Sequence, residues 1–298
     1  MDKIIAIDIG GTNLRIGTVY KNLKVENFYK TSSYFLREEG SHVELVKLIK
    51  NYIEEQKLTD ITAISIGIPS MVSKDRKFVF RAPNLKGLVN INLADYLQGE
   101  LNLKVALDRD VNYLLIHDID KYGLDEKKEK TILGFYIGTG LGNPVYINGK
   151  IYRGKNGVAG ELAHTPIRGL EEVCPCGNVG CVEIVASGKA LENIREEHFK
   201  DTPFEEIFTR HSNTDEIKEF ITLLSYPLAT EITVLDPDLI VLSSGVISMK
   251  DFPRQMLIEE IKKRTKHPYP AENLEYIFTE NSHENGVIGG AISLFNGF

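Results

Sequence analysis

The sequence predicts an α/β protein built from two similar halves, and three observations carry that expectation. Residues 4–9 form a β-branched run that ends in Gly10-Gly11, and residues 14–20 alternate like its hairpin partner. The same order returns with a strand-like run over 131–137, a glycine turn at 138–142 and a second strand over 143–147. The 298 residues are 42% hydrophobic and 26% charged, which is enough for two lobes with proper cores and ordinary for a soluble globular enzyme.

The first half, to about Ile68, reads as strand, strand, strand, helix, strand. Val43, Val46, Leu48, Ile49 and Ile53 recur near helical spacing after Ser41, which is expected to cap that helix. Residues 63–68 form a buried type of strand that stops at Pro69. Residues 105–107 form another, and a helix is expected from Val111 toward Tyr122. The mixed charges of 123–130 suggest a solvated surface connection. In the second half Asn148-Gly149 marks a hairpin turn and 151–153 return. Ile217, Phe220, Ile221, Leu224, Leu228, Ile232 and Leu235 trace a long helix, expected to bend at Pro227. Residues 239–242 are a buried strand ending in Ser243-Ser244-Gly245, and 286–294 suggest a closely packed, glycine-rich helix.

The two turns suit a phosphate. Asp8-Ile-Gly10-Gly11-Thr12-Asn13 places a carboxylate at a strand end, then two residues without side chains, then a hydroxyl. Glycines let backbone amides approach an anion, and successive amides form a binding concavity. Asp8 is placed to hold Mg²⁺ directly or through water. Gly138-Thr139-Gly140 repeats the arrangement without the acid. Neither is a Walker A loop, because no Gly-Lys-Ser/Thr follows. The second is not a dinucleotide fingerprint either, since Asn143 takes the third glycine position and a strand follows.

Cys174, Cys176 and Cys181 are the only cysteines, and His164 lies ten residues before the first. Three thiolates and an imidazole make a tetrahedral set for a structural Zn²⁺, with Gly177 and Gly180 supplying tight turns. An odd cysteine count and an N-terminus without signal-peptide character argue against disulfides and for the cytoplasm. The net charge of −7 offers no attraction to nucleic acid or an anionic membrane. No apolar run approaches the roughly 20 residues that span a bilayer.

Together these residues resemble the ROK family of sugar kinases, repressors and open reading frames. The resemblance runs over essentially the whole chain. It comprises Asp8-Ile-Gly-Gly-Thr12, Ala82-Pro-Asn84-Leu, Asp110-Val-Asn112, the 138–142 turn, Gly160-Glu-Leu-Ala-His164, and the cysteine segment ending at Glu183. It implies the two-lobed actin-like ATPase (RNase H-like) fold with an interlobe active-site cleft and a small zinc-binding loop. The implied lobes are 1–115 with the C-terminal helix 284–298, and 116–283 carrying the zinc loop. Arg109 stands where most family kinases carry asparagine. With the segments 71–76, 143–144 and 246–253 it looks similar to a subgroup that phosphorylates D-allose.

The resemblance implies transfer of phosphate from ATP to the C6 hydroxyl of a hexose, with Asp110 as general base. Local sequence alone favours Asp110 as a helix cap. Hexose recognition is carried by resemblance onto Asn84, Arg109, Asp110, Glu161, His164 and Glu183, with His164 also ligating zinc. Asp8, Gly10, Gly11, Thr12, Asn13, Gly138, Thr139 and Gly140 would hold the nucleotide phosphates and Mg²⁺, and Gly245 and Gly286 would line the nucleotide pocket. Arg109 would reorganise contacts near O3 and O4, or else turn away and pair with an acid such as Asp108. Glucose, fructose, N-acetylmannosamine or a β-glucoside are alternative substrates. In a different class stands a non-catalytic sugar sensor or repressor. A first phosphate strand beginning at Ile4 and an acidic chain make DNA readout unexpected. The resemblance also implies a homodimer.

Overall fold

The computed structural model describes residues 2–297. Met1 and Phe298, the ends of the two segments assigned by sequence to the first lobe, lie outside the described residues. Along the chain run β1 (Lys3–Ile9), β2 (Asn13–Tyr20), β3 (Val25–Ser32), α1 (His42–Glu55), β4 (Ala63–Ile68), β5 (Met71–Val72), β6 (Val79–Arg81) and α2 (Leu93–Leu101). There follow β7 (Lys104–Arg109), α3 (Asp110–Tyr122), β8 (Thr131–Ile137), β9 (Leu141–Gly142), β10 (Val145–Ile147) and β11 (Lys150–Ile151). The rest comprises α4 (Gly188–His198), α5 (Ile207–His211), α6 (Asp215–Leu235), β12 (Leu239–Ser243), α7 (Arg254–Arg264), β13 (Glu275–Phe278) and α8 (Asn285–Asn296).

Two compact units divide these elements. The first is Met1–Glu126 with Lys150–Ala159 and Ser282–Phe298; the second is Lys127–Gly149 with Gly160–Asn281. The division expected at 115/116 falls inside α3, and the first unit continues to Glu126.

The first unit is a sheet in the order β3-β2-β1-β4-β7, with β1, β4 and β7 mutually parallel. Both faces of β1 are covered, which is why it reads as a continuous apolar run and not an alternating one. Ile5, Ile7 and Ile9 face a core with Ile49 of α1 and Leu97 of α2, while Ile4 and Ala6 meet Val287 and Ala291 of α8. Each isoleucine so buried contributes roughly 2 kcal/mol relative to exposure. α8 lies so close to α3 that a Cβ at Gly289 would stand 1.8 Å from the Tyr113 carbonyl oxygen.

Three local expectations are corrected here. Ser41 holds the N-cap position of α1, but its hydroxyl donates to the Glu38 carbonyl at 2.6 Å and makes no cap. α3 begins at Asp110, one residue early, with Arg109 at the N-cap position. The 123–130 connection is not wholly solvated: Gly123 ends α3 at φ +60°, and Leu124 and Asp125 are buried.

In the second unit β8 is flanked by antiparallel β10 and parallel β12, which pairs in parallel with β13. Leu133, Phe135 and Ile137 of β8 and Ile240 and Leu242 of β12 pack with Phe220, Leu224, Leu228 and Ile232 of α6. Those α6 positions recur every four residues, close to one helical turn, which is the reason one face of the helix is apolar. α6 runs through Pro227 as one element, although proline has no N–H for the preceding turn. The strand after the second glycine turn starts at Val145, not at Asn143, whose side chain is engaged elsewhere. The returning strand covers only Lys150–Ile151. Among the described residues no helix is long and apolar enough to cross a membrane.

Candidate active site

In the first unit the sheet register brings three strand ends into a row. Asp8 pairs across to Gly67, and Gly67 to Asp108, at the carboxyl ends of three parallel strands. Ligands of open α/β sheets bind beyond such ends. The 8–13 turn closes through Gly10 N–H to the Asn13 carbonyl at 2.7 Å. Its other carbonyls are also taken. The Ser33 hydroxyl donates to Gly10 O at 2.7 Å, Arg37 Nη2 to Gly11 O at 3.2 Å, and Ser33 N–H to Thr12 O at 3.0 Å. Engaging these carbonyls weakens their opposition to an anion approaching the amides.

Asp8 faces Arg15, whose Nη1 lies 2.9 Å from Oδ2. Burial pushes its carboxyl above the ordinary range, and the Arg15 guanidinium opposes that shift. A desolvated carboxylate with a single cationic neighbour fits a hard divalent cation held directly or through water. Gly286 opens α8 against it; a Cβ there would stand 2.7 Å from Asp8 Cγ. Asn84 is exposed, with Nδ2 3.7 Å from the position of a Cβ on Gly11.

Asp110 is the first residue of α3 and half-buried, with Oδ1 accepting from Val111 N–H at 2.9 Å. Gly67 passes beneath it: a Cβ there would lie 3.3 Å from Asp110 Cα. Asp108, two residues earlier, is fully internal. Arg153 Nη2 binds its Oδ2, Arg76 Nε stands 3.6 Å away, and Asn112 Nδ2 donates to Oδ1 at 2.6 Å. Arg76 continues to Leu107 O at 2.9 Å, Tyr113 Oη at 3.1 Å and Ser293 Oγ at 2.9 Å, tying β7, α3 and α8 together. Arg109 is 7% exposed and directs Nη1 to the Ala159 carbonyl. Its backbone N–H, at 2.9 Å, is what reaches Asp108.

The second unit builds its turn in the same way. Gly138 N–H donates to Gly140 O at 3.0 Å, while Gly188 and Lys189 N–H at the start of α4 bind Gly138 O and Thr139 O. Again the carbonyls are occupied. Glu183 Oε1 accepts from Leu141 N–H at 3.2 Å and leaves no room for a Cβ on Gly140. Ser244, at φ +84°, brings Oγ to 3.2 Å from where a Gly138 Cβ would be, and a Cβ on Gly245 would meet open space.

His164, Cys174, Cys176 and Cys181 place their ligand atoms within 4.8 Å of one another. Cys174 Sγ lies 3.8 Å from His164 Nδ1, and Cys176 Sγ 3.6 Å from Cys181 Sγ. A tetrahedron with Zn–S of about 2.3 Å has edges of about 3.8 Å, so the group fits Zn²⁺. Burial and the neighbouring sulfurs push the Cys181 thiol up to about 12, so its ionisation calls for a cation. His164 Nε2 points the other way, 3.6 Å from Glu161 Oε2, the carboxylate–histidine pairing that orients metal ligands. The knuckle is formed by Cys174 N–H to Asn178 O and Gly177 N–H to Cys174 O, each at 2.8 Å.

Each unit thus gathers its own share of the residues singled out by sequence. Asp8–Asn13, Asn84, Asp110 and Gly286 belong to the first; 138–140, Glu161, His164, Glu183, Gly245 and the cysteines to the second. Sequence reasoning missed Arg15, Arg76 and Arg153. The alternation of β2 could have found Arg15, which stands opposite Asp8 in the hairpin register. Nothing local marks the other two.

The sequence model of the ROK family matches residues 4–297. A glucokinase of Halalkalibacterium halodurans is 28% identical over 96% of this chain and 93% of its own. The xylose repressor of Caldicellulosiruptor bescii is 32% identical over 72% of this chain, which spans about half (53%) of the repressor's length. Among solved structures, a ROK family glucokinase from Streptomyces griseus in complex with glucose and AMPPNP superposes with a TM-score of 0.78. It is 21% identical and the match covers 97% of this chain and 98% of that one.

Proposed function

Because the chain belongs to the ROK family and has its two-lobed actin-like ATPase fold, we propose that it is an ATP-dependent hexose kinase acting at the C6 hydroxyl. One observation carries this reading most. Asp110 presents a half-buried carboxylate at the start of α3, in the same row of strand ends as the 8–13 turn. A sugar hydroxyl ionises far above neutral pH, so its attack on a γ-phosphate gains from a positioned base, and Asp110 takes that role. Asp108 and its arginines fix the backbone from which Asp110 projects. The amides of the two glycine turns receive the nucleotide phosphates. Mg²⁺ near Asp8 would neutralise charge on the transferring phosphoryl group. Zn²⁺ on His164 and the three cysteines would stiffen the loop that presents Glu161 and Glu183.

Asn84, Glu161, His164 and Glu183 would read the hexose hydroxyls, with Arg109 shaping epimer choice near O3 and O4. D-allose is the substrate this reading assigns, on the strength of Arg109 and the segments 71–76, 143–144 and 246–253. The reading places the protein in the cytoplasm as a homodimer; its three thiols stand unbridged. The test is coupled ADP release with ATP and Mg²⁺ across a hexose panel. The highest kcat/KM is expected for D-allose, and its phosphorylation should slow by about 10²–10⁴ in Asp110→Asn. Preference for another hexose overturns the allose assignment, and no ADP with any hexose overturns the kinase.

A second reading is favoured by the 32% identity to a xylose repressor: a sugar-responsive regulator without turnover. It predicts calorimetric hexose binding with no ADP release.

A further inference from the structure

Asn143 follows the second glycine turn, and its surroundings give it a task. The residue is fully buried. Its Nδ2 donates to the Gly134 carbonyl at 3.0 Å and to Glu231 Oε2, on α6, at 2.8 Å. Its main-chain oxygen lies hard against Gly160, where a Cβ would come within 1.9 Å; its Oδ1 would be 3.5 Å from the same Cβ. That Oδ1 is buried without a hydrogen-bond partner. Gly160 also sits at φ +78°, so only glycine serves there. The segment it opens carries Glu161 and His164.

Glu231 is an unusual choice for the inner side of α6. Burial pushes its carboxyl up to about 7, and the Asn143 amide is the one influence opposing that shift. Among the described residues no cation offsets that burial. An acid kept in such surroundings costs stability, and an apolar residue would pack there more cheaply. The geometry says what the acid maintains: α6 grips Asn143, Asn143 abuts Gly160, and Gly160 sets the start of the 160–164 segment.

We propose that Glu231 is a positioning residue which, through Asn143, holds the Glu161–His164 segment in the geometry that binds the hexose. The inference rests on the sugar-kinase reading and adds a residue remote in sequence from every motif of that reading. Glu231 touches no substrate; its effect passes through the Asn143 amide. A glutamine retains an acceptor for Asn143 Nδ2, whereas leucine removes it.

The experiment compares Glu231→Gln, Glu231→Leu and Asn143→Ala in the full chain. It measures hexose Kd by calorimetry, KM for hexose and ATP, kcat, bound zinc and Tm. Glu231→Leu and Asn143→Ala are expected to weaken hexose binding by about tenfold or more, the scale of misplaced binding groups. KM for ATP should stay as in the parent, and Glu231→Gln should restore hexose affinity. Equal losses for hexose and ATP, or unchanged hexose Kd in Glu231→Leu, overturn the proposal. Hexose binding without ADP release in the parent overturns the kinase reading alone, because calorimetry still reads the positioning effect. A parent protein that binds no hexose overturns both.

Discussion

Asp108 and Asp110 are two residues apart and meet opposite fates. Asp108 is 2% exposed and clasped by Arg153, Arg76 and Asn112, whereas Asp110 stays half-buried with Val111 N–H on one oxygen. The difference predicts distinct phenotypes. Asp110→Asn is expected to lower kcat by about 10²–10⁴, the usual weight of a general base, with hexose Kd and Tm unchanged. Asp108→Asn leaves two buried guanidinium groups facing an amide, and breaking such a pair costs about 3–5 kcal/mol. Urea unfolding should show that loss as a lower midpoint. Arg109 belongs with the structural group by burial, since Nη1 binds the Ala159 carbonyl. If it shapes epimer choice, Arg109→Asn will change the allose-to-glucose ratio of kcat/KM; an unaltered ratio removes that role. The alternative of an Arg109–Asp108 ion pair was legible as a possibility, but the carboxylate goes to Arg153, from 45 residues away, and such partners leave no local trace.

At the scale of elements, the metal knuckle and the α3–α8 contact show what local sequence can and cannot reveal. The knuckle's ligands lie within one short stretch, so spacing alone identified the set that the structure gathers. Stripping a bound metal with a chelator is expected to weaken hexose binding more than ATP binding, because Glu161 and Glu183 flank the ligands while the 8–13 turn belongs to the other unit. Parallel titrations of apo and zinc-reloaded protein check this. The glycine-rich α8 was also legible, but its partner was not. Gly289 clears the Tyr113 carbonyl only because it has no Cβ, so Gly289→Ala should destabilise by about 1–3 kcal/mol through overpacking. Ser41 shows the opposite failure. A capping residue in the capping position donates to Glu38 O, a competition that residue preferences do not decide.

At the scale of the molecule, the strands and long helices followed from periodicity, while the segmentation did not. Residues 150–159 join the first unit through Arg153 and Ala159, and no composition shift announces it. The pH dependence of stability is likewise a property of the assembled fold. Burial raises the carboxyls of both Glu231 and Asp8 above their ordinary values. A raised carboxyl binds its proton longer in the folded state, so stability falls as pH rises from the ordinary value toward the folded one. For Glu231 that window runs from 4.5 to about 7. Its full effect is about 3 kcal/mol. Glu231→Gln should therefore flatten the decline in unfolding midpoint between those two pH values, and a decline as steep as the parent's would contradict the assignment.

The first unit also depends on a helix more than 200 residues beyond the strands it covers. Until α8 leaves the ribosome, Ile4, Ala6, Val19 and Ala63 have no Val287 or Ala291 to cover them. The nascent chain must carry that greasy sheet face uncapped until residues 285–296 have emerged, which makes their emergence a point of chaperone demand.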